Sequence, residues 1–419
     1  MTVESEQSVD DAQSWRQWRT PSTKTKGLIQ AAGRIKSLLR DQADEAEKLG
    51  RYTDEAHDAM VEAGLYDALT PRRYGGHEID IPSYFRIVIE LASGDPGSGW
   101  CYALGQGHNL TTAGYWPEAV QDDVYRHPRG YFRAPQSVAN PGMGTRVDDG
   151  YVVNSVTPFS SGTPFSTHAI VTVRLSDQPQ NTFHLALVPI EQCTVRPDWG
   201  GDRTLGLRSS GSNTVVVDGQ FVPADYIVPF DWRIKDYREG TVGTRLHGNP
   251  MYLARSTGFF HGEFAAIMTG AGRAALEEYE HTVATRKTAL PPYELKINDH
   301  NYQRDYGMAL SMVDAAEAIT IRAAQQYMEC CEDWALTGRA FDLESDWRQH
   351  GMFQRATQLA TDAIQMLTYS AGSAATMAGQ RMQRYFRDAT MYRSHVSARY
   401  LSTAQTIAGE HFGLDREGF

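Results

Sequence analysis

The order in which the chain changes texture limits its fold more than any other feature. Residues 27–124 read as helix, residues 130–229 break into short alternating runs, and helix returns from residue 250 to the end. In residues 28–49 apolar positions recur at three- and four-residue steps, as on an amphipathic helix, among good helix formers. A second helix is expected from Asp54 toward Ala63 with Gly64 as its stop, and another opens at Pro82. In the middle segment Gly, Asp and Pro punctuate runs rich in Val, Thr and Tyr, and the Asp148-Asp149-Gly150-Tyr151 step predicts a hairpin. The last part predicts four helices, over residues 264–285, 302–336, 354–371 and 385–409.

Helices, then strands, then helices is neither the alternating βα order of a doubly wound sheet nor a repeat. No G-x-G-x-x-G follows a strand, and the Gly-rich residues 94–99 follow a helix, so no dinucleotide site is expected. The 419 residues divide into a frayed tail (1–26), an N-terminal helical domain (27–129), a β-barrel domain (130–240) and a C-terminal helical bundle (241–419). A net charge of −11 argues against a nucleic-acid partner, which calls for a basic face. No stretch approaches the roughly 20 apolar residues of a membrane helix, and the polar N-terminus lacks the apolar core of a signal peptide. The four cysteines, Cys101, Cys193, Cys330 and Cys331, form no C-x-x-C pair and have no histidine at zinc spacing. Reduced thiols, a cytoplasmic location and no metal site are the expectation.

Three segments carry a family signature. Residues 150–155 (Gly-Tyr-Val-Val-Asn-Ser) are followed by Pro158-Phe159-Ser160-Ser161-Gly162. Residues 205–212 (Leu-Gly-Leu-Arg-Ser-Ser-Gly-Ser) precede Gln220-Phe221-Val222-Pro223. Tyr369-Ser370-Ala371-Gly372 precedes Tyr385-Phe386-Arg387-Asp388-Ala389. In this order and spacing they resemble the acyl-CoA dehydrogenase superfamily over nearly the whole chain. The resemblance implies a mainly α fold with a central β domain: an N-terminal helical domain, a β-barrel and a C-terminal four-helix bundle.

Within that superfamily the chemistry departs from a dehydrogenase, which needs a carboxylate base. Residues 389–398 after Arg387-Asp388 contain no acid; Val396 falls where the glutamate of many members sits, beside His395. Glu263 is a possible stand-in on an earlier helix. P-F-S-S-G in place of W-I-T, His108 before Tyr115-Trp116-Pro117-Glu118, and His395 after Y-F-R-D are instead similar to the flavin monooxygenase branch. Its examples are the oxygenase components of hydroxyphenylacetate and secosteroid-phenol hydroxylases.

That resemblance implies an enzyme that takes reduced FMN or FAD from a separate NAD(P)H:flavin reductase. It would react the flavin with O2 to a flavin hydroperoxide and hydroxylate a phenolic or other aromatic substrate. Phe159 and either Ser160 or Ser161, with Ser161 preferred, would meet the flavin; Arg255, Arg286, Tyr369, Gly372, Arg387 and Asp388 complete its contacts. His108 would deprotonate the phenol and, with Ser137, bind the substrate, because a histidine titrates near working pH. His395 would face the flavin or the peroxide. Asp388 and His395, seven apart, would share a face if the helix is continuous. The family's usual homotetramer is expected, with helices of one subunit closing another's cofactor site. An N- or S-oxygenase of the same branch, an acyl-CoA dehydrogenase and a non-catalytic scaffold are the competing readings.

Overall fold

The computed structural model describes residues 14–231 and 237–414. The expected tail over residues 1–13 lies outside the described residues, but residues 14–26 are not frayed. Ser14–Arg19 is a 3-10 turn whose Trp18 is buried, with its indole N–H donating to Glu332 at 3.4 Å. The N-terminal helices are α1 (Thr23–Asp41), α2 (Ala43–Leu49), α3 (Asp54–Glu62), α4 (Ile81–Gly94), α5 (Pro96–Gln106), α6 (His108–Tyr115) and α7 (Glu118–Val124). Side-chain caps set several starts: Ser22, Thr53, Asp80 and Asp95 each accept from a backbone N–H of the first turn. Every residue of α5 is buried, which puts this helix at the centre of the molecule.

The β unit comprises β1 (Gln136–Val147), β2 (Gly150–Ser160), β3 (His168–Leu175), β4 (Phe183–Pro189), β5 (Thr194–Arg196), β6 (Asn213–Pro223) and β7 (Ile227–Phe230). The hairpin forms as expected, with Val147 opposite Gly150. The barrel is realised as one seven-stranded sheet in the order β5-β6-β2-β1-β3-β4-β7, and its end strands β5 and β7 do not pair among the described residues. β1 runs antiparallel to β2 and parallel to β3, with a register shift between Ser137 and Gly142.

The C-terminal helices are α8 (Val242–His247), α9 (Ser256–Thr285), α10 (His300–Thr337), α11 (Leu343–Ala371), α12 (Arg381–Arg393) and α13 (Tyr400–His411). α9 packs against α11, α10 and α4, making it the axis of the bundle. It starts eight residues before the sequence pattern does, because Gly258 and Gly262 weaken the helical signal there. Those glycines are packing sites: a Cβ on Gly262 would lie 2.3 Å from the Phe85 ring. α11 likewise starts early, since its first turns bury the polar residues Asp346, Gln349 and His350. The helix expected over residues 385–409 is broken. His395 sits in extended backbone (φ −72°, ψ 149°) and caps the 3-10 turn Val396–Ala398, so Asp388 and His395 do not share a continuous helix. No helix among the described residues is long and apolar enough to cross a membrane.

Candidate active site

The P-F-S-S-G motif ends β2 in a strained turn. Phe159 has φ +58°, rare for a bulky residue, and leaves its ring 61 % exposed, edge-on to Trp199 at 6.3 Å between centroids. The two serines separate. Ser160 turns its hydroxyl back to the Thr157 carbonyl at 3.0 Å. Ser161 accepts from the Trp100 indole N–H at 2.9 Å and meets Ser212 Oγ at 2.7 Å, and Ser212 in turn meets Ser210 at 2.7 Å. Because Trp100 donates to Ser161, the Ser161 proton is free to point elsewhere. The turn is fitted tightly on α5: a Cβ on Gly162 would lie 2.6 Å from the Gly105 nitrogen.

Trp100 links this hydroxyl chain to an aromatic wall on α9. Its ring stacks on Phe264 at 4.8 Å and meets His395 at 5.5 Å, while Phe264 and His395 are 5.1 Å apart. One helical turn earlier, Phe260 packs on His108 at 5.0 Å. The two histidines picked out by sequence therefore stand against Phe260 and Phe264, four residues apart on one face of α9.

Their hydrogen bonds give them opposite tautomers. His108 Nδ1 lies 2.9 Å from the Ala134 carbonyl, so that nitrogen carries the proton and Nε2 is the acceptor. His395 Nδ1 accepts from the Ser397 backbone N–H at 3.2 Å, so its proton is on Nε2, which is the ring's available donor. Burial pushes both imidazoles down to about 4, so both are neutral near pH 7.

The remaining sequence candidates divide. Ser137 lies on β1, three residues after the Ala134 that holds His108, and its hydroxyl accepts from Ala139 N at 3.2 Å. Arg387 and Asp388 join the second and third signatures. Asp388 Oδ1 accepts from Leu207 N at 2.6 Å, while Arg387 donates to the Leu205 carbonyl at 3.0 Å and to Glu47 at 2.7 Å. Burial and neighbouring Asp95 raise the Asp388 carboxyl to about 7. Both residues thus fix the loop that carries Ser210 and Ser212. Arg255 is buried at the start of α9, 3.7 Å from Asp346 and over the Tyr237 ring. Arg286 ends α9 and donates to Gln380 at 3.1 Å; Gly372, with φ +87°, ends α11, and Tyr369 there is 65 % exposed. Arg286 lies 22 residues beyond Phe264, about 30 Å along the helix. Within one chain it does not meet Ser161.

Glu263 is a poor stand-in for a dehydrogenase base. It is fully buried toward α4, 3.1 Å from the Tyr84 hydroxyl, and burial raises its carboxyl far above the usual range, so it holds its proton. Val396, at the position of the family glutamate, is 61 % exposed. Sequence assigns no site role to Trp100, Phe260 or Phe264, and marks Ser212 only as the end of the second signature. Phe260 and Phe264 have the i, i+4 spacing of a helix face, whereas a buried Trp or a loop serine carries no distinguishing pattern.

Comparison with known proteins accords with this architecture. Residues 31–114 match the acyl-CoA dehydrogenase N-terminal domain and residues 263–400 its C-terminal domain, together more than half of the chain. The oxygenase subunit HsaA of a flavin-dependent monooxygenase from Rhodococcus jostii (strain RHA1) is 28 % identical over 362 residues, 86 % of this chain and 91 % of that protein. The oxygenase component of p-hydroxyphenylacetate 3-hydroxylase from Acinetobacter baumannii is 24 % identical over 406 residues, 95 % of this chain and 92 % of that protein. XiaF from Streptomyces sp., solved in complex with FADH2 and glycerol, superposes with a TM-score of 0.84 at 24 % identity, covering 94 % of this chain and 97 % of XiaF. The chain belongs to the acyl-CoA dehydrogenase superfamily, on the branch formed by the oxygenase components of flavin-dependent monooxygenases.

Proposed function

We propose that this protein is the oxygenase component of a two-component flavin monooxygenase. In this reading it takes reduced FMN or FAD from a separate NAD(P)H:flavin reductase and hydroxylates a phenolic or other aromatic substrate with O2. The observation that carries the reading is the pair of neutral histidines in opposite tautomers, set along one aromatic wall that ends at the Ser161 hydroxyl. A phenol hydroxylase needs an acceptor for the phenolic proton and a donor for the oxygen being reduced, both away from water. His108 Nε2 suits the first role and His395 Nε2–H the second.

The residues fit a flavin. Phe159 holds a largely exposed aromatic ring in strained backbone, with Trp199 edge-on to it. Beside it Ser161, Ser210 and Ser212 offer hydroxyls to the polar edge of a ring. Phe159 and Ser161 would hold that ring, with Ser137 toward the substrate. When bound, the reduced flavin supplies two electrons to O2, one oxygen atom entering the aromatic ring and the other leaving as water. The chain's part is to orient the substrate, keep the wall of Trp100, Phe260 and Phe264 dry, and hold the two protons where they are needed.

Arg286 lies too far along the bundle to reach the same chain's Ser161, and Tyr369 and Gly372 flank Ala371, which Lys296 ties to Arg286. Their distance and the exposed Tyr369 support a homotetramer in which they close a neighbour's flavin site. An N- or S-oxygenase would share the flavin face, but would have no use for His108 as a phenol base. The direct test is incubation with reduced flavin, a panel of phenols and isotopically labelled O2. A product carrying one labelled oxygen per turnover is expected. Unlabelled product, or bleaching of bound FAD by an acyl-CoA thioester, would contradict the reading.

A further inference from the structure

The polar first turns of α11 are unexplained by the site just described. α9 and α11 meet with Gly258 over Gln349 and His261 over His350. A Cβ on Gly258 would lie 3.3 Å from Gln349 Oε1, and the two imidazole centroids are 3.3 Å apart. His350 is only 4 % exposed, packed between His261 and Trp347, and neither of its ring nitrogens has a hydrogen-bond partner among the described residues. Gln349 Oε1 is buried and equally without a partner. Leaving a buried polar atom unpaired costs about 1–3 kcal/mol, so groups of this kind call for a function.

The pair adjoins the candidate site. His261 stands edge-on to Phe264 at 5.9 Å, and Phe264 is the ring that also packs on Trp100 and His395. The polar end at His350 is thus joined, through one shared phenylalanine, to the group that holds Ser161.

We propose that His261 and His350 form a second polar end of the substrate site, receiving an uncharged hydroxyl or keto oxygen carried by the aromatic substrate away from its phenol. The proposal rests on the hydroxylase reading above. Each neutral imidazole offers one donor and one acceptor, and His261 already uses Nδ1 on the Thr257 carbonyl at 2.7 Å. A hydroxyl can accept from the His350 N–H and give its one proton to His261 Nε2 or to Gln349 Oε1, whereas a keto oxygen can only accept from that N–H. Burial pushes His261 down to about 4 and His350 lower still, so a carboxylate would gain no imidazolium partner there, and the nearby buried Arg255 already faces Asp346 at 3.7 Å. The site selects a neutral group.

The test is calorimetric titration of the full chain with p-ethylphenol, p-hydroxyphenethyl alcohol and p-hydroxyphenylacetate. The alcohol should bind roughly ten-fold more tightly than p-ethylphenol, and the acetate no more tightly than p-ethylphenol. In His350→Phe the ratio of alcohol to ethylphenol affinity should fall toward one. His261→Phe serves as the second variant, with circular dichroism confirming that each is folded. Equal binding of alcohol and ethylphenol to the native chain overturns the inference while leaving the hydroxylase reading intact. Tighter binding of the acetate overturns the neutral selection, and failure of every phenol to bind overturns the inference together with the reading beneath it.

Discussion

At the scale of single residues, the proposed chemistry depends on which hydroxyl and which ring nitrogens are available. Ser161→Ala removes the hydroxyl between Trp100 and Ser212, whereas Ser160→Ala removes only a local bond to Thr157. Product formed per reduced flavin should fall roughly ten-fold in the first variant and by less than about two-fold in the second, measured as hydroxylated product against hydrogen peroxide. His108 acts only when unprotonated, and its pKa is lowered from 6.5 to about 4. In Asp388→Asn, which removes the carboxyl raised to about 7, the acid limb of kcat/KM should therefore fall near pH 4 and the profile should stay flat from about pH 7 to about pH 5; a limb near 6.5 in that variant would remove His108 from the role. The sequence made His108, His395 and the Ser160-Ser161 pair legible through their motifs. It prefers Ser161 without separating the serines, whose surroundings differ through Trp100, sixty-one residues away.

At the scale of elements, the sequence showed periodicity well and its interruptions poorly. The sheet segment, its hairpin and the long helices of the bundle follow from apolar spacing and turn residues. The start of α11 leaves no apolar pattern because its buried face is polar, and the break before α13 carries no Gly or Pro because His395 makes its own cap. The Arg387-Asp388 step was read as a flavin contact, whereas its visible work is to clamp the loop of residues 205–212. Asp388→Ala leaves the buried Leu207 N–H without its acceptor and should destabilise the fold by about 1–3 kcal/mol in denaturant unfolding. Since Ser212 sits on that loop, coupling of flavin oxidation to hydroxylation should drop as well. Unaltered stability would mean that the clamp is dispensable.

At the scale of the whole molecule, the helical domain, the sheet and the bundle converge on α5, whose Trp100 ties β2 to α9. In the proposed tetramer the candidate flavin residues at the far end of the bundle would close a neighbour's site, an arrangement that one sequence cannot show. Sedimentation should find a tetramer, and Arg286→Ala should weaken reduced-flavin binding about ten-fold without dissociating it; a monomer with full affinity would contradict shared sites. The most direct measurement for the central claim is stopped-flow mixing of reduced flavin and protein, prepared without oxygen, against oxygenated buffer. Oxidised flavin should appear only after a delay absent in free solution, because the dry wall around Ser161 holds back the wasteful release of peroxide. Oxidised flavin appearing at the rate seen without protein would contradict that claim.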